Sequence, residues 1–172
     1  MASGVRVSDE VMELFKKMRV HHSGDDYQEH SKFVVLKIDD GKIIVDEEHN
    51  LKVKDLKGDD NVYKTLTSHL PKKQCCYALY DCCYETKETA KDDLVFIMWA
   101  PQDAPIKQRM VYASSYTAFK KALPGIKHEW QINDDSDICD EHCLLEKLGP
   151  KGMVRVLEGK ELFGIHHHDH DH

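Results

Sequence analysis

The sequence predicts one α/β (α+β) domain, a single central mixed β-sheet sandwiched by helices. Three observations carry that expectation. The run Leu94 to Ala100 is wholly apolar and closed by Pro101, the length and composition of a strand buried on both faces. Residues 106–123 follow it, bounded by Pro105 and by Pro124-Gly125, the usual start and stop of a helix. Along the whole chain the order reads helix, hairpin, helix, two strands, helix, helix, strand, which layers helices on both faces of one sheet. A chain of 172 residues, 41% hydrophobic and 32% charged, fills one core of that kind.

Residues 1–7 are short, small and without periodicity, and are expected to be flexible. Ser8 is a good N-cap, and Val11, Leu14, Phe15 and Met18 mark one apolar face of a helix over 9–19. His21 to Ser31 is polar and reads as a loop. Phe33 to Ile38 and Lys42 to Val45 are strands joined at Asp39-Asp40-Gly41, where Asp-Gly accepts positive φ. Asp46 to Lys57 is charged and mostly loop. Asp59 or Asp60 caps a helix that buries Val62, Tyr63, Leu66 and Leu70 and ends at Pro71. Cys75 to Tyr84 is the next strand, and Glu85 to Asp92 a charged connection. After the long helix, Lys127 to Gln131 is extended. Ser136 or Asp137 caps a last helix that runs to about Leu148 and turns Ile138, Leu145 and Leu148 inward. Met153 to Leu157 alternates like an edge strand. The domain is expected to span 1–162. The His-rich tail, 163–172, is set aside as an added or fraying end that binds metal ions at most.

The formal charge is −7, or −5 without Asp169 and Asp171 of the tail. A body this acidic binds nucleic acid poorly, so an anionic partner must meet a local basic patch. No run is long and apolar enough to span a membrane, and the N-terminus lacks a signal-peptide core, so a cytosolic or nucleocytoplasmic location is expected. Six cysteines are present. Cys75-Cys76 and Cys82-Cys83 are neighbours on a strand, point to opposite faces and grip a single metal badly. Cys139 and Cys143, with His142 between, have a spacing zinc can use, but no second ligand pair matches. Reduced, buried or half-buried thiols are the simpler reading. No Walker loop, dinucleotide fingerprint, nucleophile elbow or zincin helix occurs. The pattern favours a binding protein over an enzyme, with no cofactor and no metal.

The long helix carries the functional reading. Val111, Ser115, Ala118 and Ala122 fall on one face and are small, so that face is expected to seat the helix on the sheet. Lys107, Arg109, Lys120 and Lys121 project elsewhere, near Met110 and Phe119. Cations beside large apolar side chains suit a partner that is acidic and partly greasy. A solvated face whose lysines only aid solubility gives the same pattern.

Several blocks then resemble one family. Met1-Ala2-Ser3-Gly4-Val5 with Val7-Ser8-Asp9 is similar to the N-terminus of vertebrate cofilins. So are Tyr77 to Asp81, Tyr84 to Glu88, Asp93 to Ile97 with Trp99-Ala100-Pro101, and Tyr112 to Ser115. Gly125 to Glu129 and Glu146 to Gly149 continue the match, in order, from Met1 to about Leu162. The chain thus resembles the actin-depolymerising factor/cofilin family, whose fold (the ADF-homology fold) is a mixed sheet sandwiched by helices.

The resemblance implies a monomeric, non-catalytic protein that binds monomeric and filamentous actin and severs and depolymerises filaments. It implies a surface for both forms at Ser3, Gly4, Val5, Lys107, Arg109, Met110, Phe119, Lys120 and Lys121, with Met110 in an apolar cleft and the cations on its rim. A second, filament-only surface maps to Lys91, Asp93, Glu129 and Glu146. Ser3 matches the family's phosphorylation site, served by a LIM-type kinase and a phosphatase; a phosphate there repels an acidic partner. Phosphoinositide headgroups are implied at Lys107, Arg109, Lys120, Lys121, Lys127 and His128, and pH sensing at His128 with Asp93. Cytoplasm, cytoskeleton and membrane periphery follow as locations. The chain departs from the family before the first strand of the hairpin. Asp26 to Phe33 holds one Lys where cofilins carry a basic nuclear-import run, so the nucleus stays among the locations that the resemblance implies, although the chain lacks the family's usual import signal. Tyr116 and Phe119 also replace the more usual Lys and aliphatic residue. A phosphoinositide-binding module that does not sever, and a thiol enzyme or zinc protein built on the cysteines, are the competing classes.

Overall fold

The computed structural model describes residues 4–20, 24–138 and 140–162. Ser3, Cys139 and the tail 163–172 lie outside the described residues.

The chain opens with β1 (Arg6–Val7) and α1 (Asp9–Arg19), then the hairpin β2 (Ser31–Asp39) and β3 (Lys42–Val45). The short β4 (Leu51–Lys52), α2 (Val62–Ser68), β5 (Cys76–Thr86) and β6 (Ala90–Trp99) follow. The last part is α3 (Ile106–Lys121), β7 (His128–Ile132), α4 (His142–Leu148), β8 (Val154–Leu157) and β9 (Lys160–Glu161). These strands form one sheet with the path β1-β3-β2-β5-β6-β7; β4 lies on β2, and β8 on the outer end of β5. The β1–β3 and β6–β7 pairs are parallel and the others antiparallel, so the sheet is mixed as expected.

Alternation along the central strands divides the core. Val95, Ile97 and Trp99 of β6 join Tyr63, Leu66, Leu144 and Leu148 beneath α2 and α4. Phe96 and Met98 join Val11, Phe15, Tyr112, Tyr116 and Phe119 beneath α1 and α3. Successive side chains leave a strand on opposite faces, and only a strand covered on both sides can be apolar throughout.

Local chemistry explains most boundaries. Ser8 Oγ accepts from Val11 N at 3.2 Å and caps α1, satisfying one donor that the first turn leaves open. Asp40 and Gly41, at φ 49° and 72°, make the β2–β3 turn. Gly125 follows Pro124 at φ +89°, where a Cβ would meet Arg19 Nη2 at 2.9 Å.

Other expectations are corrected. Residues 4–7 are anchored: Arg6 N donates to Gly41 O at 2.9 Å and Ser8 N to Ile43 O at 3.1 Å. The cap of α2 is Asn61, which accepts from Lys64 N at 3.2 Å, while Asp59 braces it by accepting from Asn61 N at 2.8 Å. The β5–β6 hairpin pairs as far as Glu85 and Ala90, so most of the charged connection is strand. Residues 135–137 are a separate 3-10 turn and α4 begins only at His142, burying Leu144 and Leu148. The 46–57 segment contains β4 and two 3-10 turns.

Candidate functional site: the outer surface of the long helix

Between β6 and β7 the chain crosses over through α3, which is tied to the sheet along its length. Gln108 Oε1 accepts from Cys75 N at 2.7 Å. Tyr112 Oη accepts from Ile38 N at 2.8 Å, and Tyr77 Oη donates to Tyr112 O at 2.5 Å. Tyr116 Oη donates to Glu129 Oε1 at 2.5 Å.

The seating of α3 differs from the sequence expectation. Its buried side chains are Tyr112, Ser115, Tyr116 and Phe119, so the inner face is largely aromatic. Phe96 stacks on Tyr116 at 5.3 Å and 5°, and Phe119 meets Phe96 edge-on at 5.2 Å, geometries that aromatic pairs favour. Val111 is instead 37% exposed, and the small Ala113, Ser114 and Thr117 face solvent. Phe119, expected on the binding surface, is 1% exposed and unavailable to a partner. The same holds for the Val5 side chain, which is buried in the core that α1 and α3 share; Gly4 is exposed.

What α3 does present is Ile106, Met110 and Val111 at its N-terminal end, with Ile106 67% and Met110 66% exposed. Ile106 was missed from sequence, although its i, i+4 spacing to Met110 marks a shared face. Lys107 is exposed beside them. Arg109 is half-buried: Nη1 donates to Gln102 Oε1 at 3.2 Å, while Nε is buried without a hydrogen-bond partner. Lys120, Lys121 and Lys127 lie at or beyond the other end. At 1.5 Å per residue, Lys107 and Lys121 stand roughly 21 Å apart along the axis. The cations therefore form two groups and not one patch.

The four residues implied for a filament-only surface are dispersed. Lys91 is exposed near the start of β6, and Glu146 is exposed on α4. Glu129 leaves β7 towards α3 and also ion-pairs with Lys120. The Lys120 ammonium and the Tyr116 hydroxyl hold its carboxyl below the ordinary range. Asp93 leaves β6 on the α2/α4 side. The parallel register sets His128 beside Val95, and from there His128 Nε2 reaches Asp93 Oδ2 at 3.0 Å. Tyr84 Oη donates to the same oxygen at 2.6 Å, and Lys127 Nζ stands 3.8 Å from Oδ1. Burial pushes Asp93 up, but the Tyr84 and His128 hydrogen bonds with the Lys127 charge outweigh it, and the net shift is downward.

Burial pushes the Cys75 thiol up to about 11 and Cys83 to about 12, the reverse of an activated nucleophile. Asp46, Glu48 and His49 bring ligand atoms within 4.8 Å of one another, a donor set that suits a divalent cation; His49 Nδ1 is already 2.9 Å from Asp46 Oδ2. Among the described residues no helix is long and apolar enough to cross a membrane.

The sheet order, with one long crossover helix carrying an exposed apolar end, defines a recognisable class. A family profile described as cofilin/tropomyosin-type actin-binding protein matches residues 4–149. Plasmodium berghei actin depolymerization factor 2 is similar at 28% identity and TM-score 0.69, covering 86% of this chain and 99% of its own. Streptomyces griseoflavus cofilin gives 26% and 0.65, covering 83% and 96%. Human coactosin-like protein, at 14% and 0.61, covering 84% and 88%, shares the fold alone. The chain belongs to the cofilin/ADF family of actin-binding proteins.

Proposed function

We propose that this protein binds actin monomers and filaments through the outer face of α3, and severs and depolymerises filaments. The observation that carries the reading is the exposed apolar end of α3. Ile106, Met110 and Val111 are three of the five large apolar side chains exposed among the described residues. A partner that covers them recovers roughly 25 cal/mol for each Å² removed from water. Lys107 stands in the first turn, which has no acidic residue. A cation there opposes the helix dipole at a cost of about 0.3–1 kcal/mol, and an acidic partner group offsets that cost. Met110 enters an apolar cleft of an actin subunit while Lys107 and Arg109 meet its acidic rim. Lys91, Asp93, Glu129 and Glu146 meet a neighbouring subunit in the filament. Binding that prefers one filament twist shifts filaments towards that twist, and strain at its boundary breaks them.

Control acts through charge. Phosphorylation of Ser3 by a LIM-type kinase, reversed by a phosphatase, repels actin. Phosphoinositide headgroups compete with actin for the cations, and the grouping of Lys120, Lys121 and Lys127 near one end of α3 favours that end. Protonation of His128 beside Asp93 strengthens headgroup binding, so rising pH releases the protein to act on the cytoplasmic cytoskeleton.

The test is filament length by fluorescence microscopy with substoichiometric protein, together with pelleting. Shortened filaments support the reading; intact filaments with tight phosphoinositide binding would replace it with a lipid-binding module. Lys107→Ala with Arg109→Ala is expected to weaken actin binding by more than about 1 kcal/mol, measured by fluorescence titration.

A further inference from the structure

We infer that the Lys120–Glu129 ion pair couples the two proposed actin contacts, and that the Tyr116 hydroxyl is the positioning group that keeps Glu129 in place when Lys120 is taken by actin. This rests on the proposed actin reading and adds to it an order of engagement and a residue that enforces it.

The geometry is a single carboxylate gripped twice from one helix. Tyr116 Oη donates to Glu129 Oε1 at 2.5 Å, and Lys120 Nζ pairs with Glu129 Oε2. Tyr116 and Lys120 are one turn apart on α3, so both side chains lean over the same point of β7. The two grips differ in permanence. Lys120 is 43% exposed and its stem is flexible, so an acidic group on a partner can take it. Tyr116 is 8% exposed, and its ring is stacked flat on the buried Phe96 at 5.3 Å. Its hydroxyl cannot follow Lys120 outward.

Two consequences follow. In the unbound protein, Glu129 partly neutralises Lys120 and so weakens the basic end of α3. Once an actin subunit engages Lys120, Glu129 loses that counter-charge and becomes a stronger acceptor for a basic group on a second subunit. The first contact thereby promotes the second, a positive coupling transmitted through one shared ion pair. Without the Tyr116 hydroxyl, the released Glu129 side chain would sample several rotamers and its ordering would oppose the second contact. Tyr116 is thus the group through which the first contact favours the second.

The test is Tyr116→Phe, which removes the hydroxyl and keeps the stacked ring, made in the wild type and in a Glu129→Ala background. Affinities for monomeric actin (fluorescence titration) and for filaments (pelleting) are compared, with melting temperature as the fold control. The expected result is an unchanged melting temperature, monomer affinity within twofold of wild type, and filament affinity three- to tenfold weaker. In the Glu129→Ala background the same change should have no effect on filament affinity. A carbon-13 titration of the Glu129 carboxyl, without actin, should move upward in Tyr116→Phe. Equal losses for monomer and filament, a filament loss that persists in Glu129→Ala, or an unmoved Glu129 titration would each overturn the inference while leaving the actin reading intact. Wild-type protein that binds neither form of actin would overturn both.

Discussion

The two sides of α3 obey opposite rules. The inward side is filled by Tyr112, Tyr116 and Phe119, and three tyrosine hydroxyls, on Tyr77, Tyr112 and Tyr116, have hydrogen-bond partners at the helix–sheet contact. The outward side leaves Ile106, Met110 and Val111 in water and places cations in a first turn that prefers acids. A helix selected only for stability would bury its apolar groups and put acidic groups at its N-terminus. The contrast separates residues that hold the helix from residues that a partner has to explain, and it moves Phe119 from the second group to the first.

Substitutions on each side test that separation. Phe119→Ala should cost about 3–5 kcal/mol of unfolding free energy, as large aromatic truncations in a core do, read by urea denaturation. Actin affinity of the folded fraction should stay near wild type; a selective loss of affinity would return Phe119 to the surface. Ile106→Ala with Met110→Ala should do the reverse, weakening actin binding by about 2 kcal/mol with stability within about 0.5 kcal/mol, measured by titration and denaturation of the same samples. A smaller effect is expected on the far side of the sheet. The depressed carboxyl of Asp93 stabilises the fold fully above the unfolded value of about 3.9, and that contribution is lost as pH falls through its lower folded pKa. Asp93→Asn should therefore flatten the acid limb of the stability–pH curve, and an unaltered limb would remove Asp93 from the account.

The layered fold was legible because its main signals are local: the cap at Ser8, the Asp40-Gly41 turn and the unbroken apolar run of β6. The short strands were not, because β1 and β9 have two residues each and exist only through their partners. The inner face of α3 was read only in part, for a related reason: Ser115 is buried as expected, but Val111 is not, and the aromatics beside Ser115 were left out. Small residues at helical spacing suggested close packing, whereas the tyrosines looked amphipathic and unplaced; the Tyr112 and Tyr116 hydroxyls find partners on β2 and β7, and Tyr77 of β5 donates to the Tyr112 carbonyl, contacts that only the folded sheet brings together. Met110 and Lys107 were legible as a surface, since a large apolar group beside a cation stands out in any helical register. The division of Asp93 and Glu129 between the two faces follows from strand parity, which depends on knowing where β6 and β7 begin.

The parallel pairing of β6 with β7 has a mechanical consequence. Because α3 is the covalent link between two adjacent parallel strands, a pull on it along the strand direction passes at both ends into strands whose cross-links run transverse to the pull. Those links are loaded together in shear instead of opening one at a time like a zipper. The outer ridge of α3 is thereby fixed at both ends to one pair of hydrogen-bonded strands, so it moves with the sheet beneath it.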